Sequence, residues 1–234
     1  MIQIERLEKR YGKFQVLRGV NLSFDLNQVV ALVGPNASGK TTLIKCLLGM
    51  VIPDGGSIKF AGNDIEGDVT YKRKIGYMPQ IGRYPDNMRM GYLFEMMKDL
   101  GRTRTEGQFD LELVEAFKLG EMFRKPMRAL SGGTRQKVSA ALAFLFNPDV
   151  IILDEPTAGL DPLASEILKQ KIRKAKVAGK LVLVTSHIMS EVEEIAEKIA
   201  YIVEGEALFY KSIAEIKTET GASKLSQALF HLLQ

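Results

Sequence analysis

Cysteine is nearly absent. Cys46 is the single one in 234 residues, so no disulfide can form within the chain and no Cys-rich zinc site can be built. Such usage fits a reducing compartment, the cytosol. Long apolar runs are missing too: the longest, Ala140 to Phe146, has seven residues, against about 18 for a membrane span. The chain is therefore expected not to cross a bilayer by itself. Its start, Met1-Ile2-Gln3-Ile4-Glu5, alternates apolar and polar residues and lacks the basic-then-apolar pattern of a secretory leader. Charge of one sign is scarce, since 32 Lys and Arg against 28 Asp and Glu leave +4. That excess is too small and too spread out to argue for nucleic acid. What remains, 46% apolar and 26% charged residues, is globular composition and excludes a disordered or collagen-like chain. The length suffices to bury a sizeable core.

Residues 1–26 read as strands with turns, Lys9 to Lys13 being a turn and Val16 to Phe24 a strand. Val29 to Val33 is continuously apolar, the mark of a strand buried on both faces. A Gly-rich turn and a helix from about Lys40 follow, stopped by Gly49 and Pro53. From about Asn87 to Phe146 the pattern turns helical. Leu93, Met96, Met97 and Leu100 fit one helical face, as do Leu111, Val114, Phe117 and Leu119. An alternation then returns: strand Val150 to Leu153, helix Leu163 to Ala178, strand Leu181 to Thr185, helix Met189 to Glu197, strand Ile199 to Val203. This predicts an α/β fold with a mainly parallel sheet, helices on both faces, N-terminal antiparallel strands and an inserted helical subdomain. The expected division is a core of 1–86 and 147–217, a helical subdomain of 87–146 and a terminal helix in 218–234, with Leu225, Ala228, Leu229 and Leu232 on its apolar face.

Gly34-Pro35-Asn36-Ala37-Ser38-Gly39-Lys40-Thr41 fits the phosphate-loop pattern G-x-x-x-x-G-K-[ST], between an apolar strand and a helix as that pattern requires. Backbone N–H groups and the helix start would face the phosphates. Lys40 would reach the β- and γ-phosphates, Thr41 would ligate Mg²⁺, and Thr42 would add an α-phosphate contact. Ala37 stands where glycine would be the freer choice, so position 37 is expected to avoid positive φ. The strand Val150 to Leu153 ends in Asp154 and Glu155. An acid pair there serves equally as a helix cap. Beside a phosphate loop it reads as a magnesium carboxylate, Asp154, and a base, Glu155, that polarises the attacking water.

Further residues complete a set: Tyr11-Gly12 before the loop, Gln80 closing Gly76-Tyr77-Met78-Pro79-Gln80, Leu130-Ser131-Gly132-Gly133 before the acidic strand, Ala158-Gly159-Leu160-Asp161 after it, and His187 beyond Thr185. In this order the chain resembles the ATP-binding subunit of an ABC transporter, of the bacterial export type, over about residues 1–217. The resemblance implies a P-loop NTPase fold, ATP and Mg²⁺, and ATP hydrolysis. It implies that Tyr11 stacks on adenine, that Gln80 touches Mg²⁺ and the water and senses a partner subunit, and that His187 contacts the γ-phosphate. Ser131, Gly132 and Gly133 would serve nucleotide held by a second copy, and Asp161 would couple the two sites. Ser131 before the helical run from Thr134 is a second anion-ready helix start, so a head-to-tail homodimer around two ATP is expected. A separate transmembrane permease would hold the subunit at the inner face of the membrane.

The segment from Gln80 to Met97, with Tyr84, Met88, Met90, Tyr92 and Leu93, reads as a docking groove for a helix of that partner. A DNA-acting relative would need long heptads between Lys40 and Ser131, and a ribosome-acting one two tandem copies; neither is present. Six methionines between Met88 and Met127 read as adaptable packing. The run Lys169, Lys171, Arg173, Lys174, Lys176 and Lys180 reads as a solvated helix face.

Overall fold

The computed structural model describes residues 1–105 and 108–233. The expected subdomain 87–146 and terminal segment 218–234 therefore each reach outside the described residues, at 106–107 and at Gln234. In chain order the elements are β1 (Ile2–Tyr11), β2 (Phe14–Phe24), β3 (Gln28–Val33), α1 (Lys40–Leu47), β4 (Gly55–Phe60), β5 (Asn63–Asp64), β6 (Ile75–Met78), α2 (Met90–Thr105), α3 (Glu112–Ala116) and α4 (Gly132–Phe144). They continue with β7 (Val150–Asp154), α5 (Pro162–Val177), β8 (Leu181–Thr185), α6 (Met189–Ile195), β9 (Lys198–Val203), β10 (Glu206–Ser212), α7 (Ile213–Thr220) and α8 (Leu225–Leu232).

Two sheets organise the chain. One has the order β2-β1-β4-β5, all antiparallel; the other runs β10-β9-β3-β8-β7-β6. In the second, β9, β3, β8, β7 and β6 are parallel, and β10 closes one edge antiparallel to β9. Every residue of β3, β7 and β8 is buried, as expected for strands covered on both faces. Their side chains feed two cores. Val29, Ile151 and Val182 share one core with helices α2 to α8, whereas Val30, Ile152 and Leu183 pack with α1 and the antiparallel sheet. The period-2 alternation along three apolar strands thus holds the molecule together from its middle.

Several local expectations are corrected. β1 continues to Tyr11, and only Gly12 and Lys13 form the turn. Pairing with β2 carries it on to Tyr11 opposite Phe14, although the charged run Glu8-Lys9-Arg10 has no apolar alternation. β10 follows the tight Glu204–Gly205 turn, both residues at positive φ, and its mixed burial hid it as a strand. Leu100 is 68% exposed, because α2 presents the neighbouring Gly101 to the Phe146 ring, where a β-carbon would lie 2.1 Å from a ring atom. Leu111 to Leu119 is not one helix: α3 is five residues long, and Lys118 at φ 52 starts a 3₁₀ turn. Leu113, Val114, Phe117 and Leu119 are nonetheless buried in one core. The C-terminal region holds two helices, α7 with a Ser212–Glu215 capping box and α8 with Leu225, Ala228 and Leu229 buried. Among the described residues no helix is long and apolar enough to cross a membrane.

The basic stretch on α5 is not simply solvated. Lys169 reaches Glu194, Lys176 reaches Glu197, and Lys174 reaches Glu112. Lys171 is buried, donates to Asp110 at 2.6 Å and Glu112 at 2.7 Å, and lies 5.6 Å from the Phe144 ring centroid. It ties α5 to the entry of α3. Lys171 foremost, then Lys174, holds the Glu112 carboxyl below its usual range. Lys171→Ala would leave Asp110 and Glu112 facing each other, and we expect a loss of about 1–3 kcal/mol in urea unfolding at neutral pH. A carboxylate with a depressed folded pKa contributes stability above the usual carboxylate range and loses it as pH falls through its folded value. The gap between wild type and variant should therefore narrow below about pH 4; a pH-independent gap would refute the charge account.

Candidate nucleotide site

The loop 34–39 leaves β3 and enters α1 by backbone contact with two other strands. A β-carbon at Gly34 would lie 1.9 Å from the Ile202 carbonyl oxygen of β9, and one at Gly39 would lie 2.9 Å from the Val16 carbonyl of β2. Gly205 N–H donates to Ser38 O at 3.0 Å and Arg18 N–H to Gly205 O at 2.9 Å, so the β9–β10 turn clamps the loop to the antiparallel sheet. Ala37 has φ 62. The expectation that this position avoids positive φ is wrong: the loop's path imposes the left-handed conformation and alanine adopts it, at a cost of about 1–2 kcal/mol. The Lys40 ammonium helps to hold that path. It donates to the Gly34 and Pro35 carbonyls, both at 2.8 Å, and to Ser38 Oγ at 3.3 Å. Burial lowers the Lys40 pKa, while the charges of Glu155 and Asp154 oppose the shift. Thr41 and Thr42 occupy the first turn of α1, exposed and half-buried, and Pro35 and Asn36 are exposed.

Strand register brings the acids to this loop. Asp154 lies opposite Thr185 in the parallel β7–β8 pair. The Thr185 hydroxyl donates to Asp154 Oδ1 at 2.5 Å and accepts the Glu155 N–H at 2.9 Å. Asp154 is buried, and burial first, then the neighbouring Glu155 charge, raises its pKa against the Thr185 bond. Glu155 turns off the strand at φ 51. Its Oε2 lies 2.9 Å from His187 Nδ1, a contact that leaves the imidazole Nε2 for another partner. Gln80 is exposed two residues past β6, the strand that pairs with β7 through Met78 and Leu153. Lys40, Asp154, Glu155 and His187 thus form one group.

Ser131, Gly133 and Asp161 join a second group. Ser131 caps α4, its hydroxyl accepting Thr134 N–H at 3.2 Å; Ser131 and Gly132 are exposed. A β-carbon at Gly133 would lie 2.7 Å from the Gly159 carbonyl, so the helix start and the turn after the acids touch through backbone. Asp161 caps α5 by accepting Ala164 N–H at 2.8 Å and takes the Lys137 ammonium on its other oxygen at 2.7 Å. Lys137, then the Ala164 N–H, holds its carboxyl below the usual range. Gln136 Nε2 donates to Glu155 O at 3.4 Å. Thr185, Gln136 and Lys137 were not singled out from sequence. The signal for the last two was their place on the helix that Ser131 opens. Tyr11 ends β1 half-exposed, with the Lys9 ammonium 5.7 Å from its ring centroid.

Hydroxyl, amide and carboxylate oxygens from Thr41, Gln80 and Asp154 are a hard donor set that suits Mg²⁺. A buried carboxylate beside a second acid is a group that such a cation would keep ionised.

A twisted, mainly parallel sheet with a phosphate loop ahead of α1 and an acid pair on a nearby strand defines a P-loop NTPase of the ATPase class. The sequence matches the model of the family described as ABC transporter over residues 17–158. It is 35% identical over 212 residues to the lantibiotic transport ATP-binding protein SrtF of Streptococcus pyogenes, covering 90% of each chain. It is 35% identical over 213 residues to the Nod factor export ATP-binding protein I of Ralstonia nicotianae, covering 88% of this chain but 65% of that relative. A solved structure of the ATP binding subunit of an ABC transporter superposes with a TM-score of 0.91 at 26% identity, over 100% of both chains. A dimeric cassette bound to ADP and Pi superposes at 0.77 with 24% identity, over 91% of this chain and 98% of that one. The chain belongs to the ABC transporter family and is an ATP-binding subunit of it.

Position 37 offers a direct check on the loop. Glycine removes the left-handed penalty but adds unfolded-state entropy of about 0.4–1 kcal/mol. Ala37→Gly should therefore stabilise by up to about 1.5 kcal/mol in urea unfolding, the reverse of what alanine-to-glycine exchanges normally do. A clear destabilisation would show that the loop is not strained there.

Proposed function

We propose that the chain is the motor subunit of a transporter: it dimerises around two Mg·ATP, hydrolyses them, and drives a separate membrane-spanning partner that holds it at the inner, cytoplasmic face. The observation that carries this reading is Glu155 paired with His187 beside the lysine loop. Loop N–H groups and Lys40 bind the phosphates. Glu155 accepts the proton of the attacking water, and His187, oriented through Nδ1, turns Nε2 to the γ-phosphate. Mg²⁺ held by Thr41, Gln80 and Asp154 would supply charge neutralisation for the phosphates. Tyr11 gives adenine a ring to stack on. Ser131, Gly132 and Gly133 of one copy serve the nucleotide on the other, which their exposure at the start of α4 supports. Asp161 is committed within its own chain to Lys137 and to the α5 cap. Its coupling role then acts through the shape of the 155–161 turn.

Glu155→Gln keeps a hydrogen-bonding group but cannot take the proton. Turnover should fall by at least about 100-fold with ATP affinity retained, and size exclusion with Mg·ATP should show a dimer. Unchanged turnover would remove Glu155 as the base.

The partner-docking segment needs revision. Met90 and Leu93 are 0% and 4% exposed and belong to the core, and the Tyr84 hydroxyl is bound to Ser139. A groove of about 740 Å³ lies beside them, lined by Pro85, Met88, Gly91, Tyr92 and Phe123 among others. Tyr92 at 59% exposure is its accessible ring, and a partner helix is the occupant that fits the family. Tyr92→Ala should weaken co-purification of the co-expressed membrane subunit by about thirtyfold or more, a hot-spot loss, with nucleotide affinity unchanged. Undiminished co-purification would place docking elsewhere.

A further inference from the structure

The loop between β6 and α2 carries Gln80, and most of it does not belong to the sheet from which it departs. From Asp86 onward it is stitched to the segment leading into Ser131. Arg128 N–H donates to Asp86 O at 3.0 Å and Met127 N–H to Met88 O at 2.8 Å. Met90 N–H donates to Lys125 O at 3.0 Å and Gly91 N–H to Phe123 O at 2.9 Å. The first half of the loop lacks such a ladder. Behind it lies a cavity of about 490 Å³ between Tyr77, Pro79, Tyr84, Met96, Met97 and Phe146, so its packing on the core is limited to the Tyr84 ring. Two contacts with α4 add to that ring. A β-carbon at Gly82 would lie 2.2 Å from Ser139 Oγ, and the Tyr84 hydroxyl sits 2.8 Å from that same Oγ. Ser139 is 1% exposed and lies two turns along the helix that Ser131 caps.

We propose that Tyr84 and Ser139 are positioning residues for ATP hydrolysis: their hydroxyl pair fastens the Gln80 loop to the helix of Ser131, so that Gln80 is placed by the helical subdomain and only Pro79 to Ile81 joins it to the sheet. The proposal rests on the reading of Gln80 given above. Ile81, 68% exposed, is the free side of that joint. Without the hydroxyl pair the backbone stitching from Asp86 to Gly91 persists, so the fold survives while Gln80 loses its fixed reach.

The test compares Tyr84→Phe, Ser139→Ala, the double variant and Gln80→Ala in the full chain. ATPase kcat and KM are measured together with thermal melting. A neutral hydrogen bond is worth about 1 kcal/mol, so each single variant should lose about five- to tenfold in kcat with KM within about twofold. Each also strands one buried hydroxyl and should melt about 2–4 °C lower. The double variant strands none. It should recover melting temperature yet keep the kcat loss, a combination that a merely structural pair would not give. Wild-type kcat in the double variant, or kcat that follows melting temperature across the set, overturns the proposal. Full activity in Gln80→Ala would overturn the reading of Gln80 itself. An impaired Gln80→Ala beside an active Tyr84→Phe would sink the tether alone.

Discussion

The backbone-to-backbone contact of the loop at Gly34 with Ile202 is the constraint from which the rest of the site follows. A β-carbon there would sit 1.9 Å from a carbonyl oxygen, so the loop lies flat on β9 before it rises into α1. With its floor fixed, its remaining freedom is removed from the other side by Val16 and Gly205. The antiparallel sheet is thereby more than a lid: β2 supplies the wall against which the start of α1 is set. Lys40 then feels the charges of Glu155 and Asp154, which oppose the lowering that burial imposes on its pKa.

The parallel core was legible because its strands carry no alternation to misread. Val29 to Val33, Val150 to Leu153 and Leu181 to Val184 are apolar throughout, as strands buried on both faces are. Elements at the rim were harder. β10 has no buried side chain, only exposed and half-buried ones, so it shows no apolar run of the kind that marks the central strands. The stretch around α3 gave an apolar spacing close to a helical one, but the short α3 and a separate 3₁₀ turn deliver Leu113 and Leu119 to the same core. Spacing reports what is buried more faithfully than the path that buries it.

In the site, the residue types named the chemistry and their order named the family. Sequence could not tell which groups work on each other. Glu155 and His187 are 32 positions apart and meet because β7 and β8 are neighbours in register. Asp161 looked like a residue that reaches outward, yet a lysine one turn and a half into α4 takes its free oxygen. Ala37 was misjudged because propensity describes an isolated residue, whereas the loop's contacts at both ends dictate φ. The Lys171 cluster was hidden for a related reason: a run of basic residues reads as surface until the carboxylates that face it are known.

The strand order has a consequence for how the chain is made. β3 is complete by Val33, but its two neighbours are β8 and β9, which begin at Leu181 and Lys198. The phosphate loop has no floor until Ile202 has left the ribosome. Until then a strand buried on both faces waits with both edges unpaired, the condition under which nascent chains aggregate. Nucleotide cannot rescue it during that interval, because the site that would bind it is among the last things the emerging chain can build.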